Sequence, residues 1–122
     1  MVNVICDTSF LIHLATKRII NFDNLEVEIG ILNFIVPEVV LTELQNLLKN
    51  RTKQLEISRT LDYIKNFETL PILGTFADKE LIDYILKNKG IVATLDKALK
   101  NEIISNGGSI ITIHNNKIIF QN

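Results

Sequence analysis

Short β-branched apolar runs alternate with amphipathic stretches along this chain, and that alternation admits few folds. VNVIC (Val2–Cys6), residues 33–36 and IVAT (residues 91–94) are apolar at nearly every position and too short for helices, as strands buried on both faces are. Helical stretches are predicted after them: residues 10–15 behind Asp7-Thr8-Ser9, 38–49 behind Pro37, 51–67, 76–88 and 96–105. A further short helix is expected around residues 21–28. In the 51–67 helix Leu55, Leu61 and Ile64 are placed inward, and Pro71 limits residues 69–73 to an edge strand. Thr75 opens the 76–88 helix, where it can form a capping box with Asp78, and Gly90 follows its end. Residues 109–113 and 117–120 read as closing strands joined at Asn115-Asn116, a pair that tolerates the positive φ of a two-residue hairpin turn. Strands alternating with helices imply an α/β fold with a mainly parallel sheet covered on both faces. The 122 residues suit a single domain spanning the chain.

Within that framework four acids stand out: Asp7, Glu43, Asp78 and Asp96. Asp7 ends the first strand, and Asp96 follows IVAT by two residues. On its helix Asp78 has Leu81, Ile82 and Ile85 at i+3, i+4 and i+7, which puts it within the apolar stripe. Glu43 lies between Val39 and Leu47, beside the stripe of Val40, Leu44 and Leu47. Ligands of open parallel sheets bind beyond the carboxyl ends of the strands, so all four can meet at one sheet edge. Two carboxylates about 4 Å apart repel by roughly 4 kcal/mol at an effective dielectric near 20. Such a cluster needs a divalent cation or raised pKa values. Oxygen-only ligands favour Mg²⁺ or Mn²⁺ over zinc, and such ions can activate water against a phosphodiester. The competing structural roles are helix capping for Asp7 and Asp96, the capping box for Asp78, and an ion pair for Glu43.

Net charge is −1, so no global basic field draws nucleic acid and any RNA contact must be local. The candidates are Lys97 and Lys100 beside Asp96, and Arg51 and Lys53 on a basic flank that also serves as a solvated helix face. His13 and His114 lack metal-ligand spacing. Cys6 is the single cysteine, which rules out an intrachain disulfide and fits a reducing cytoplasm, the expected location. No apolar run reaches the ~18 residues of a membrane span. No glycine-rich phosphate loop is present. Ser9 stands where an aspartate-phosphorylating phosphatase needs its second acid.

Four segments, VICDTSFLI, VPEVVLTEL, FADKELIDYI and IVATLDKALK, together make the chain resemble a PIN-domain nuclease. They occur in the family's order and cover nearly the whole chain. The resemblance implies a Rossmann-like three-layer α/β/α sandwich and Mg²⁺- or Mn²⁺-dependent endonucleolytic cleavage of RNA. By position it assigns Asp7, Glu43, Asp78 and Asp96 as metal-binding acids, with Thr8 or Ser9 as the small hydroxyl supporting the first acid or a metal-bound water. The segments and the tail IITIHNNKIIF are closest to the ribosomal-RNA-processing branch and its stand-alone relatives; toxins of the VapC type, which are held by a small antitoxin, are more distant. Lys79 and Ala98 stand where that branch often has further acids, which leaves room for an inactive RNA- or protein-binding module. A homodimer is expected by family analogy alone.

Overall fold

A computed structural model describes residues 2–19 and 29–122; the helix expected around residues 21–28 lies outside them. The elements run β1 (Val2–Cys6), α1 (Thr8–Thr16), β2 (Leu32–Pro37), α2 (Glu38–Leu47), α3 (Gln54–Ile64), β3 (Glu68–Leu70), α4 (Ala77–Asn88), β4 (Ile91–Ala93), α5 (Lys97–Ser105), β5 (Ser109–His114) and β6 (Lys117–Gln121). The sheet order is β3-β2-β1-β4-β5-β6. All pairings are parallel except β5–β6. The chain begins in the middle of the sheet, builds β2 and β3 to one side, then crosses to place β4 and β5 on the other. The strand order therefore reverses between β1 and β4, where open α/β sheets have their crevice.

Side chains alternate between two cores with the period of two that strands impose. Val4 and Cys6, Ala93 and Ile111 join Phe10, Leu11, Val40, Leu44 and Ile57 under α1, α2 and α3. Ile5, Val92 and Ile110 face the other way, onto Leu81, Ile85, Leu99 and Ile103 of α4 and α5. This is the three-layer sandwich expected from the alternation. β3 is an edge strand, as expected, though it ends at Leu70, just before Pro71, and Asn115 and Asn116 turn the closing hairpin at φ 52° and 61°.

The 51–67 helix is shorter than expected. Asn50 accepts hydrogen bonds at its Oδ1 from the Thr52 amide (3.0 Å) and hydroxyl (2.7 Å), which holds a turn through residues 50–53. α3 starts only at Gln54, and its inward residues are Ile57, Thr60 and Ile64, with Leu61 half-buried. Leu55 is 69% exposed, contrary to its expected inward placement. α4 begins at Ala77 with Phe76 as its cap residue, and no side chain caps it, so the Thr75–Asp78 capping box does not form.

Candidate active site

β1 ends at Cys6, which pairs with Ala93 of β4, and the next residue on each chain is Asp7 and Thr94. The Asp7 amide donates to the Ala93 carbonyl at 2.8 Å, closing the two strand ends together. Asp7 is only 5% exposed, and its carboxylate does not cap α1. Instead Asp7 Oδ2 accepts from Thr94 Oγ1 at 2.8 Å and from Ser9 Oγ at 3.3 Å. The two hydroxyls are 3.4 Å apart. Ser9 Oγ accepts from the Leu95 amide, and Thr94 Oγ1 from the Asp96 amide, each at 3.1 Å. One small network thus fixes the Asp7 carboxylate and the loop that carries Asp96. Of the two hydroxyls left open by the sequence, Ser9 supports the first acid. Thr8 Oγ1 is buried with no hydrogen-bond partner among the described residues.

Asp96 fulfils its capping role: its Oδ1 accepts from the Leu99 amide at 3.1 Å, starting α5. Glu43 and Asp78 are exposed rather than core-facing. Each stands at the border of its helix stripe, with buried neighbours turned inward beside it: Leu81 three residues after Asp78, and Val39 and Val40 four and three residues before Glu43. Together with Asp7, Thr8, Ser9, Ile12, Leu47 and Lys53, these acids line one open cleft of about 400 Å³. Of the basic residues proposed from sequence, only Lys53 lines it; Arg51 and Lys97 are exposed and Lys100 half-buried elsewhere.

The acids sense one another. Burial, chiefly, raises the Asp7 pKa; the Thr94 hydroxyl and the Thr8 amide counter it, while the charges of Asp78 and Glu43 add to it. The Asp78 pKa is raised by partial burial and by Asp96. Among the described residues no ion pair neutralises any of the four. Nor is any trio of His, Cys, Asp or Glu among them drawn together as a ready metal cage. That spacing is compatible with Mg²⁺, which keeps several waters and is bound through one or two carboxylates rather than by an all-protein cage. The donor set is entirely oxygen, and Thr8, a cleft-lining residue, has a buried hydroxyl with no hydrogen-bond partner among the described residues. The residues present therefore fit a hydrated hard cation.

Thr94 was not singled out from sequence. It closes an apolar strand and is fully buried, so it reads as one more β-branched core residue. The signal was a hydroxyl two positions before an acid, but its meaning depends on β4 lying beside β1, which only the topology reveals.

A mainly parallel α/β/α sandwich with an acid-lined crevice at its strand-order reversal belongs to the Rossmann-like class. Within that class, the profile of a family described as a PIN like domain matches residues 4–116, and the chain belongs to that family. It is 30% identical over 125 residues to Ribonuclease VapC4 of Methanocaldococcus jannaschii, an alignment covering 96% of this chain and 94% of that one. It is also similar to the structure of the PIN domain endonuclease Utp24, with a TM-score of 0.78 and 30% identity over 97% of this chain and 90% of the other.

Proposed function

We propose that the protein is a Mg²⁺- or Mn²⁺-dependent endoribonuclease. The observation that carries this reading is the uncompensated acidic crevice. Four carboxylates converge where the sheet opens, two with raised pKa values, and no protein cation pairs with them among the described residues. A fold tolerates that repulsion where a cation offsets it in the working state. Asp7, Glu43 and Asp96 would hold the ion, and Asp78 would orient it or its water. When bound, the ion would supply a nucleophilic water at neutral pH and offset charge on the phosphate, for a hydrolysis in which the ester P–O bond that breaks is replaced by one to the water oxygen and the leaving oxygen takes up the water's proton. Thr94 and Ser9 keep Asp7 aimed into the cleft, and Lys53 offers the one cleft-lining ammonium for a phosphate oxygen. RNA as substrate is supported by the VapC4 relative, which is a ribonuclease.

Two biological roles share this chemistry. We favour RNA processing, ribosomal RNA included, because the closing β5–β6 hairpin fits the tail of that branch. The toxin role rests on the VapC4 relative, which is as identical to this chain as Utp24 is. Growth arrest on expression, relieved by a small neighbouring protein, selects the toxin role; precursor RNA accumulating on depletion selects processing.

The chemistry itself is tested with labelled single-stranded and stem-loop RNA, wild type against Asp7→Asn, with Mn²⁺ or EDTA. Cleavage by wild type alone, stopped by EDTA, is expected. Cleavage by Asp7→Asn at the wild-type rate, or in EDTA, overturns the assignment.

A further inference from the structure

Phe76 is 70% exposed, although it is the cap residue of the helix that carries Asp78. Single apolar side chains on a surface are ordinary; the mounting and location of this one are not. It precedes Asp78 by two residues, so their Cα atoms are at most ~7.6 Å apart along the chain. Its carbonyl accepts from the Glu80 amide at 3.1 Å, in the first turn of α4. The loop before it is fastened where the Ile72 carbonyl accepts from the Val39 amide at 2.9 Å. Gly74, at φ +143°, holds a backbone conformation that other residues rarely adopt. Hydrogen bonds therefore tie the backbone on either side of Phe76. The other exposed aromatic, Tyr63, packs edge-on against Phe67; among the described residues Phe76 meets no ring.

We propose that Phe76 is a stacking platform for an unpaired base of the RNA strand, next to the phosphate held at the acids. This rests on the nuclease reading and adds how the strand is gripped. The cleft has four carboxylates against the single ammonium of Lys53, and the chain carries a net charge of −1, so attraction for a phosphate backbone is weak. Stacking on an aromatic face does not depend on charge and tolerates any base. An exposed ring two residues before a cleft-lining acid supplies affinity that electrostatics does not. It also favours single-stranded over duplex RNA, since a paired base has no free face.

The chain has no tryptophan, so Phe76→Trp installs a unique fluorophore. In an Asp7→Asn background with Mg²⁺, single-stranded oligoribonucleotide is expected to quench it saturably, and an oligomer of abasic ribose phosphates is not. In the chain with Asp7 intact, Phe76→Ala is expected to raise KM for single-stranded RNA by about 5- to 150-fold, the range of one base–aromatic stack. kcat should stay within about twofold, and Phe76→Trp should keep the wild-type KM. Equal quenching by the abasic oligomer, or an unchanged KM for Phe76→Ala, overturns the proposal. So does light scattering showing that Phe76→Ala dissociates a wild-type oligomer, which would make the ring a protein contact. If wild type cleaves no RNA, the nuclease reading fails, and the fluorescence titration still decides whether a base stacks.

Discussion

Thr94→Val removes one oxygen and tests the whole Asp7 network. The hydroxyl donates to Asp7 Oδ2 at 2.8 Å and accepts from the Asp96 amide at 3.1 Å. A hydrogen bond to a charged group contributes about 1.5–3 kcal/mol. Losing it, with the Asp96 amide left to partly exposed surroundings, should cost roughly 2–4 kcal/mol after the added methyl is allowed for. For a domain of this size that lowers Tm by on the order of 10 °C. The same bond opposes the burial that raises the Asp7 pKa, so its loss moves that pKa further up. The acid limb of the pH–rate profile should therefore shift to higher pH, and kcat/KM at neutral pH should fall about 10- to 100-fold, as losses of partners behind metal ligands do. Thr94→Ser keeps the hydroxyl and should restore the pH limb even where the lost methyl lowers Tm. The measurements are calorimetric Tm in metal-free buffer and the Mn²⁺-dependent pH–rate profile. Thr94→Val with a wild-type pH limb would refute the claim that Thr94 tunes Asp7.

Two further outcomes follow from the unpaired acids. Because Asp7 and Asp78 have raised pKa values, the fold binds their protons more tightly than the unfolded chain does; the stability these two groups contribute should be fully present below the ordinary carboxylate range, fall as pH rises through their folded values, and level off above, which metal-free urea midpoints across pH would show. Mg²⁺ at a hundredfold its Kd should add about 2.7 kcal/mol at neutral pH; Glu43→Gln, at an exposed position with no assigned structural bond, should leave metal-free Tm nearly unchanged and abolish both this gain and cleavage.

The parts of the fold that were readable share one property: a local rule settles them. Val2–Cys6 and IVAT announce buried strands, Asp96 announces a helix start, and Asn115-Asn116 a two-residue turn. The differences have local causes. The Asn50 side chain holds a turn at residues 50–53 and delays the start of α3, and Leu55, nine positions before Ile64, falls on the opposite side of a 3.6-residue helix from the inward set Ile57, Thr60 and Ile64. Asp78 and Glu43 line one crevice, but as exposed residues and not as core-facing ones. Their helical phase near apolar residues signals the edge of a buried stripe, and at the open end of a sheet that edge is cleft lining rather than core. Thr94 was invisible because its role needs a neighbour 87 positions away.

The exposure of Glu43 and Asp78 bears on how the site works. Four buried carboxylates without counter-charge would carry a desolvation cost that this small domain could not sustain alone. The fold instead buries one, Asp7, and satisfies it with two hydroxyls, while the other three face an open cleft and water screens their repulsion. The buried acid supplies the fixed point, and the exposed acids can adjust around a hydrated ion. That division explains why no ready cage is present among the described residues although the donors share one crevice. It also assigns unequal costs to the acids. On the proposed function, losing Glu43 would remove a ligand and little else, whereas altering Asp7 or Thr94 would disturb the junction of β1, β4 and α5 that also holds the loop of Asp96.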